Sequence, residues 1–367
     1  MRYRSTVAEI NLNNLQHNTD LLHKESHKPL FCVVKANAYG HGATKIAVFL
    51  EQFSYVSYFC VSSIDEALEL RNNNIKKPII NLGFTDIFDL NECINNNITI
   101  SIISKKWLIR ALEAHHDLSK LKCHIKLDTG MNRLGIKSIS EYCDVLEMAK
   151  KHGLEVEGVF THYHSSDSIN GASLKQLELF KRFLNQCDHP YKWIHIANTD
   201  AALLTNEAFT NAIRCGLALY GYASKPSNLK PILTLTSQVS QAKEIEAGET
   251  VSYSAAFVAT EKMKIGIVPI GYADGINRKL TNHYFYINGK QAKILGKICM
   301  DQTIVEFPYD EWRNIVEIIG PHQNAADLAQ VLGTITYEIL TGISDRITRT
   351  YKLDGQIIDQ HNYRFNR

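Results

Sequence analysis

The chain has 367 residues, enough for two domains or for one barrel with an appendage. Hydrophobic residues make up 45% and charged residues 21%, which excludes a disordered, collagen-like or coiled-coil chain. Forty Lys+Arg against 38 Asp+Glu leave a net charge of +2, so no bulk electrostatic attraction to nucleic acid or an anionic membrane is expected.

No stretch reaches the roughly 20 apolar residues of a membrane span. The opening residues Met1–Ile10 lack the apolar core of a secretion signal, and the expectation is a cytoplasmic protein. Thr6–Ile10 reads as a strand that joins a later β-rich region. From Leu30 onward, β-branched runs alternate with helix-sized segments. The runs are Leu30–Ala36, Tyr58–Ser62, Pro78–Leu82, Thr99–Ile103, Leu121–Leu127, Glu155–Thr161, Lys192–Ile196 and Ala212–Arg214. Between them, Ala43, Ile46, Ala47 and Leu50 share one helical face, as do Ile64, Ala67, Leu68 and Leu70. Leu174, Leu177 and Phe180–Phe183 repeat the pattern. Ser63-x-x-Glu66 and Ser140 mark helix starts.

Eight such units are the number that closes a parallel βα (TIM-type) barrel; an open doubly wound sheet is the alternative. After about Lys230 the helical rhythm stops. Ile232–Val239, Lys264–Ile270, Phe285–Ile287, Ala292–Cys299 and Thr303–Phe307 read as strands, with Asn288-Gly289 as a hairpin turn and Ala325–Leu332 as a helix. Pro226, Ser227, Asn228 and Pro231 mark a linker. The expected division is an α/β barrel over residues 1–229 and a β-rich domain over residues 230–367. Cys32, Cys60, Cys123 and Cys299 sit in apolar runs and read as buried small hydrophobes. There is no C-x-x-C pattern, and His162 and His164 lack matching carboxylates, so no metal is expected.

In a βα barrel the active site forms at the C-terminal ends of the strands. Unusual residues collect there. Lys35 follows the first run and precedes Ala-Asn-Ala-Tyr39-Gly-His-Gly42. Lys126 closes the fifth run, ahead of Asp128-Thr-Gly-Met-Asn-Arg133-Leu-Gly135. His162 follows the sixth, His195 and Asn198-Thr199 belong to the seventh, and Arg214 with Gly216 ends the eighth. A strand-end lysine is ordinarily a surface group. In a desolvated site it loses its proton more readily and becomes an amine able to form an imine. Arg214 reads either as a barrel ion-pair partner or, with Gly216, as an anion-binding element. His195 reads as an orienting hydrogen-bond partner.

The segment Val33-Val-Lys35-Ala-Asn-Ala-Tyr39-Gly-His-Gly42 resembles the pyridoxal-phosphate signature of bacterial alanine racemases. The resemblance continues through Lys126–Gly135, His195–Thr199, Arg214–Gly221, Val251–Tyr253, Gly271–Gly275, Gly296–Gln302, Thr336–Glu338 and Arg346–Arg349. It implies a βα barrel followed by a β-domain, pyridoxal 5′-phosphate as cofactor, an amino-acid substrate, and a homodimer with active sites shared between subunits. It further implies interconversion of L- and D-alanine by two bases, supplying D-alanine for peptidoglycan.

By the same resemblance, Lys35 holds the cofactor as an internal aldimine and serves as the base on the D-alanine side. Tyr253, from the partner subunit, is the base on the other face. A free tyrosine has a pKa of about 10, so its surroundings must favour the phenolate. His162 and Tyr272 match the network around it. Arg214 matches the arginine facing the pyridine nitrogen; it can only donate there, leaving the ring a weaker electron sink. Arg133 and Met300 match substrate-carboxylate ligands, with Asp301 adjacent. Lys126 matches a lysine often carbamylated in the family, a modification that would hold Arg133. Tyr39, Asn198, Thr199, Gly216, Leu217 and Tyr337 match the phosphate shell, supported by His195. Ser254 and Lys297 depart from the family's frequent glycine and arginine. A serine or broad-specificity racemase is the alternative within the family. A non-catalytic pyridoxal-phosphate carrier and a related decarboxylase are the alternatives outside it.

Overall fold

The computed structural model describes residues 4–165, 171–198, 201, 207–224, 228–309 and 314–363. The chain divides into two compact units. One comprises residues 16–38 and 43–229; the other comprises residues 1–15, 39–42 and 230–367. The N-terminal strand β1 (Val7–Asn11) belongs to the second unit.

The first unit is built on β2 (Leu30–Val33), β3 (Val56–Val61), β4 (Ile79–Asn81), β5 (Ile98–Ile102), β6 (Lys122–Lys126), β7 (Glu155–Phe160), β8 (Trp193–His195) and β9 (Ile213–Cys215). Every pairing is parallel, and the spatial order is β8-β7-β6-β5-β4-β3-β2-β9. An open doubly wound sheet would reverse its strand order at a switch point. Here the order never reverses, and the two ends meet. Asn211 N–H donates to the Ile194 carbonyl and Arg214 N–H to the Ala197 carbonyl, each at 3.0 Å. The result is a nearly closed βα barrel.

The local sequence explains the elements. All residues of β2 and β5 are buried, as expected for strands covered on both faces. The helix Ala43–Glu51 buries Ala43, Ile46, Ala47 and Leu50, and Ile64–Asn72 buries Ile64, Ala67 and Leu70. Ser63 caps the latter by accepting the Glu66 N–H at 3.3 Å. Three expectations need correction. Ser138, not Ser140, caps Ile139–Lys151, because Ser140 already lies inside its first turn. Leu174 is 52% exposed, because the buried stripe of Gly171–Gln186 begins on Ser173 and Gln176. Cys299 is only half-buried, unlike Cys32, Cys60 and Cys123.

Cys143, on Ile139–Lys151, forms a disulfide with Cys187, one residue beyond Gly171–Gln186. Consecutive barrel helices pack side by side, which brings together cysteines 44 positions apart in the chain. Alkylation without reductant is expected to leave this pair unlabelled. Cys143→Ser should cost about 2–4 kcal/mol of stability, read as a lower denaturation midpoint. Equal midpoints with and without reductant would show that the bridge does not contribute.

The second unit contains, after β1, β10 (Leu233–Gln238), β11 (Gln241–Ile245), β12 (Thr250–Val251), β13 (Phe257–Val258), β14 (Met263–Val268), β15 (Tyr284–Ile287), β16 (Lys290–Lys293), β17 (Thr303–Glu306), β18 (Ile315–Ile319), β19 (Thr348–Leu353) and β20 (Gln356–His361). Among the described residues, β16-β15-β18-β10-β1-β19-β20 form one sheet, β11-β14-β17 a second and β12-β13 a third. β1 lies antiparallel to β10 and parallel to β19. The expected strand Ala292–Cys299 is shorter, closing at Lys293 with an isolated bridge from Ile294 to Val305. Asn288 and Gly289 both take positive φ between β15 and β16, as a two-residue hairpin requires.

Candidate active site

The first unit gathers its unusual side chains at the C-terminal ends of the barrel strands. β2 stops at Val33, and Lys35 opens a single helical turn, Lys35–Gly40. From Ala36 to Gly40 every φ is positive, between 51° and 81°. A left-handed turn of L-residues costs of order 1–2 kcal/mol per residue, so specific bonds must hold it. Ala36 N–H donates to the Glu66 carboxylate at 2.7 Å, and that carboxylate also accepts Ser62 N–H at 2.8 Å. Asn37 Oδ1 accepts Ala43 N–H at 2.8 Å. The expectation that the strand runs to Ala36 is therefore corrected: the chain reverses hand immediately after Lys35.

Lys35 is half-buried. Burial, followed by the Arg133 charge, lowers its ammonium pKa, while Glu66 opposes the shift. Lys126, at the end of β6, is buried and brought down to about 8, first by desolvation and then by Arg133, Arg214 and Lys35. Its Nζ lies 3.5 Å from the Leu82 carbonyl and 5.5 Å from the centre of the Phe160 ring. Arg133 is exposed on the Asp128–Ile136 loop. Asp128 Oδ1 folds that loop by accepting Gly130 N–H at 3.0 Å and Asn132 N–H at 2.9 Å. Gly135 is obligatory there: its φ is +126°, and a Cβ would fall 2.8 Å from the Asp128 nitrogen.

Arg214 is the middle residue of β9 and is buried inside the barrel. Its Nη2 donates to the Thr161 carbonyl at 2.8 Å, the Ile196 carbonyl at 3.0 Å and His162 Nδ1 at 3.2 Å. Its Nη1 meets His195 Nδ1 at 2.5 Å, and its guanidinium lies 5.2 Å from the Phe160 ring centre. None of these partners is a carboxylate, so the barrel ion-pair reading of Arg214 is overturned. Burial lowers its pKa to about 10, leaving it charged at neutral pH. His162 falls to about 3 through burial and then the Arg214 charge, and His195 is held well below its ordinary value by burial, then Arg214 and His124. Both imidazoles are neutral.

The Arg133 and Arg214 charges thus lower both Lys35 and Lys126, and the Arg133 charge lowers Arg214, with Glu66 opposing the shift at Lys35 and Asp128 that at Lys126. Such a set is built for an anion carrying more than one negative charge. Gly216 and Leu217 follow Arg214 into the 3₁₀ turn Leu217–Tyr220, whose amides lie at the same strand end. Asn198 Oδ1 accepts Ala201 N–H at 3.3 Å. Thr199 lies outside the described residues. His164, considered as a ligand, bonds Ser165 Oγ at 2.8 Å. Gln176 was not singled out from sequence. It braces the strand-end loops by accepting His164 N–H at 3.0 Å and donating to the His162 carbonyl at 3.1 Å.

In the second unit, Tyr253 is 65% exposed and Met300 52% exposed. The loop carrying Tyr253 is conformationally forced: Ser252, Ser254 and Ala255 all have positive φ. It rests on a small core of Ile245, Val251, Ala259, Ile265 and Leu295. The two departures from the family pattern meet here, since Lys297 Nζ donates to Ser254 Oγ at 3.1 Å. Tyr272 and Ala273 N–H groups donate to the Cys299 and Met300 carbonyls at 3.0 Å each. That closeness requires Gly271, where a Cβ would lie 2.4 Å from both carbonyl oxygens. Asp301 accepts from Arg346 Nη2 at 2.7 Å. Tyr39 and Tyr337 face one another at 5.4 Å between ring centres. Sequence reasoning gave Arg349 no role of its own. Fully buried, it donates to the Gly40 carbonyl from Nε at 3.1 Å and Nη2 at 3.0 Å, and to carbonyls of 343, 344 and 347.

Residues 10–224 match the family model described as alanine racemase, N-terminal domain, and residues 232–351 match alanine racemase, C-terminal domain. The chain is 39% identical to the alanine racemase of Staphylococcus saprophyticus, over 95% of each chain. It is 36% identical to that of Streptococcus equi, over 95% of this chain and 99% of the other. The solved alanine racemase of Bacillus anthracis with bound L-Ala-P superposes with a TM-score of 0.93 at 31% identity, over 99% of each chain. The solved alanine racemase of Bartonella henselae, with covalently bound pyridoxal phosphate, superposes with a TM-score of 0.86 at 29% identity, over 95% of this chain and 100% of that one.

Proposed function

We propose, since the chain belongs to the alanine racemase family, that it interconverts L- and D-alanine with pyridoxal 5′-phosphate as its cofactor. One observation carries this reading: Lys35, Lys126, Arg133 and Arg214 crowd the strand ends of the barrel with their charges largely unneutralised. A phosphorylated, anionic cofactor and an amino-acid carboxylate are the chemistry such a donor set fits. When bound, pyridoxal phosphate supplies the π-system that makes an amino acid's α-proton removable.

The chain's own residues divide the remaining work. Lys35 Nζ would hold the cofactor and, as a free amine, would move a proton at the substrate α-carbon on one face. Its lowered pKa supports both roles, because each needs the unprotonated amine. Arg214, a donor with no acceptor atom, would serve as the cofactor's ring-nitrogen partner and would not support protonation there. The weaker electron sink that results limits side reactions and argues against a decarboxylase. Gly216, Leu217, Asn198 and Thr199 in the barrel, with Tyr39 and Tyr337 in the β-rich unit, take the phosphate-side roles. Arg133 orients the substrate carboxylate. Lys126, with its pKa near 8, is suited to carbamylation, which would turn a like-charge neighbour of Arg133 into an anchor for it.

Tyr253 serves as the second base, in the active site of a partner subunit, with Met300 and Asp301 beside the same substrate and His162 and Tyr272 in the surrounding network. The exposure of Tyr253 and Met300 supports a homodimer in which a second copy covers them. We place the reaction in the cytoplasm, where it supplies D-alanine for peptidoglycan and where thiols can reduce the Cys143–Cys187 bridge.

The test is an assay of purified enzyme over all twenty amino acids, following α-deuterium exchange and optical rotation. Alanine should have the highest kcat/KM. One hydroxyl or methylene changes discrimination by only about 1–3 kcal/mol in a simple pocket, so measurable serine turnover is compatible with this assignment. A higher kcat/KM for serine would move it to a serine racemase. Exchange with no amino acid would leave only a cofactor carrier.

A further inference from the structure

Resting on the reading of Arg214 as the ring-nitrogen donor, we infer that His124 is a positioning residue. It accepts the His195 Nε2–H and so holds the imidazole that receives Arg214 and, through it, the aim of the Arg214 guanidinium. The three side chains come from β6, β8 and β9 and form one buried line. Arg214 Nη1 lies 2.5 Å from His195 Nδ1, and His195 Nε2 lies 2.9 Å from His124 Nδ1.

Only one arrangement of protons satisfies this geometry. A guanidinium has donors and no acceptor, so His195 Nδ1 must present its lone pair. A neutral imidazole then carries its proton on Nε2, which donates to His124. His124 Nδ1 is therefore an acceptor too, and its own N–H sits on Nε2. Reversing the second bond would strip both nitrogens of His195, which a neutral imidazole cannot do. Burial and the Arg214 charge keep both rings unprotonated, with His124 brought down to about 3. All donors thus point away from Arg214.

Two further features indicate that this end of the line is built rather than incidental. The Nε2 of His124 is buried without a hydrogen-bond partner. An apolar residue would avoid that cost, yet the barrel keeps the histidine and gains an acceptor for His195. The strands also make room for it. Gly158 on β7 is the register partner of His124, and a Cβ there would lie 2.7 Å from His124 Nδ1 and Cε1. The His195 ring is clamped on its far side by Phe160, stacked at 4.8 Å and 6°. With the ring plane fixed by packing and the lone pair set by Arg214, His124 supplies the acceptor that the N–H on the other side of the ring needs.

The experiment is ¹⁵N NMR of the histidine-labelled holoenzyme, with kinetics of His124→Leu and His124→Asn. In the unaltered enzyme, His195 and His124 should each be neutral with the proton on Nε2. His124→Leu removes the acceptor while Arg214 still holds the lone pair on Nδ1, so the His195 Nε2–H should lose its hydrogen bond and its ¹H resonance should move upfield. Its kcat should fall about tenfold, typical for a supporting hydrogen-bond partner, with the alanine KM within about twofold. His124→Asn places an amide oxygen near the Nδ1 position and should restore both the hydrogen-bonded Nε2–H resonance and most of kcat. The inference is overturned if His195 in the unaltered enzyme carries its proton on Nδ1 or on both nitrogens. It is also overturned if His124→Leu leaves the His195 Nε2–H resonance and kcat unchanged, or if Asn is as damaging as Leu. The unaltered enzyme's spectrum decides even if the Leu variant does not fold. Failure of the cofactor reading would show separately, as purified protein without pyridoxal-phosphate absorbance.

Discussion

Lys35→Ala is expected to lower kcat for alanine racemisation by at least about 10³-fold, because the proposed mechanism gives one side chain both the covalent attachment and a proton transfer. Borohydride reduction of the unaltered enzyme should fix the cofactor to the peptide containing Lys35. In the alanine variant that label should vanish while cofactor is still retained, bound through the remaining cations. The competing carrier is Lys126, the other strand-end lysine with a depressed pKa. The surroundings of the two differ. Lys126 is buried, with its ammonium near the Leu82 carbonyl and against the Phe160 ring, whereas Lys35 is only half-buried. A label that persists in Lys35→Ala and maps to Lys126 would exchange their roles.

The left-handed turn after Lys35 bears on the same experiment. Five consecutive positive φ values survive only because Glu66, Asn37 and neighbouring backbone hold the segment. Strain of this kind aims a side chain that an ordinary strand end would leave to rotate. Lys35→Ala removes the amine and leaves those bonds in place, so its effect should be chemical. Unchanged far-ultraviolet dichroism and denaturation midpoint would bear that out, and a large loss of either would assign part of the effect to folding.

The barrel was legible because its signals are periodic and local. Short β-branched runs such as Ile98–Ile102, buried along its whole length with Thr99 and Ser101 included, recur eight times between helix-sized segments, and that count pointed to the barrel. The β-rich unit was harder, because its strands are short and half-exposed. Gln241–Ile245 carries three exposed residues, and Gln356–His361 has no fully buried one. A usable signal did exist for the latter: Asp354-Gly355 takes the same positive-φ pair as Asn288-Gly289. Within the site, Lys35 and Arg214 stood out as charges at the ends of apolar runs. Gln176 and Arg349 did not, since their importance lies in backbone carbonyls and amides contributed by distant loops. His124 was hidden inside a strand, where alternation alone says only that it points inward. The handedness of the 36–40 turn is likewise a tertiary property, as Ala-Asn-Ala-Tyr has no local reason to coil to the left.

Tyr253→Phe should divide the reaction into its two halves. Loss of a base costs about 10²–10⁴-fold, and it should fall on removal of the α-proton from L-alanine. The Lys35 side is untouched, so D-alanine should still exchange its α-proton with solvent deuterium while producing almost no L-alanine. Cofactor content should match that of the unaltered enzyme. Equal loss of exchange from both enantiomers would remove Tyr253 from the role of second base. Its origin in a partner subunit can be read from the same variant. Lys35→Ala and Tyr253→Phe chains, each inactive alone, are mixed under conditions that allow subunits to exchange. If each site takes Lys35 from one copy and Tyr253 from the other, every heterodimer regains one intact site. A random mixture should then recover about a quarter of full activity. If both residues served the same copy's site, no mixed dimer would contain an intact pair and activity would stay at background. The exposure of Tyr253 favours the first outcome: a base standing in open solvent can act in a water-excluded site only when another molecule closes over it.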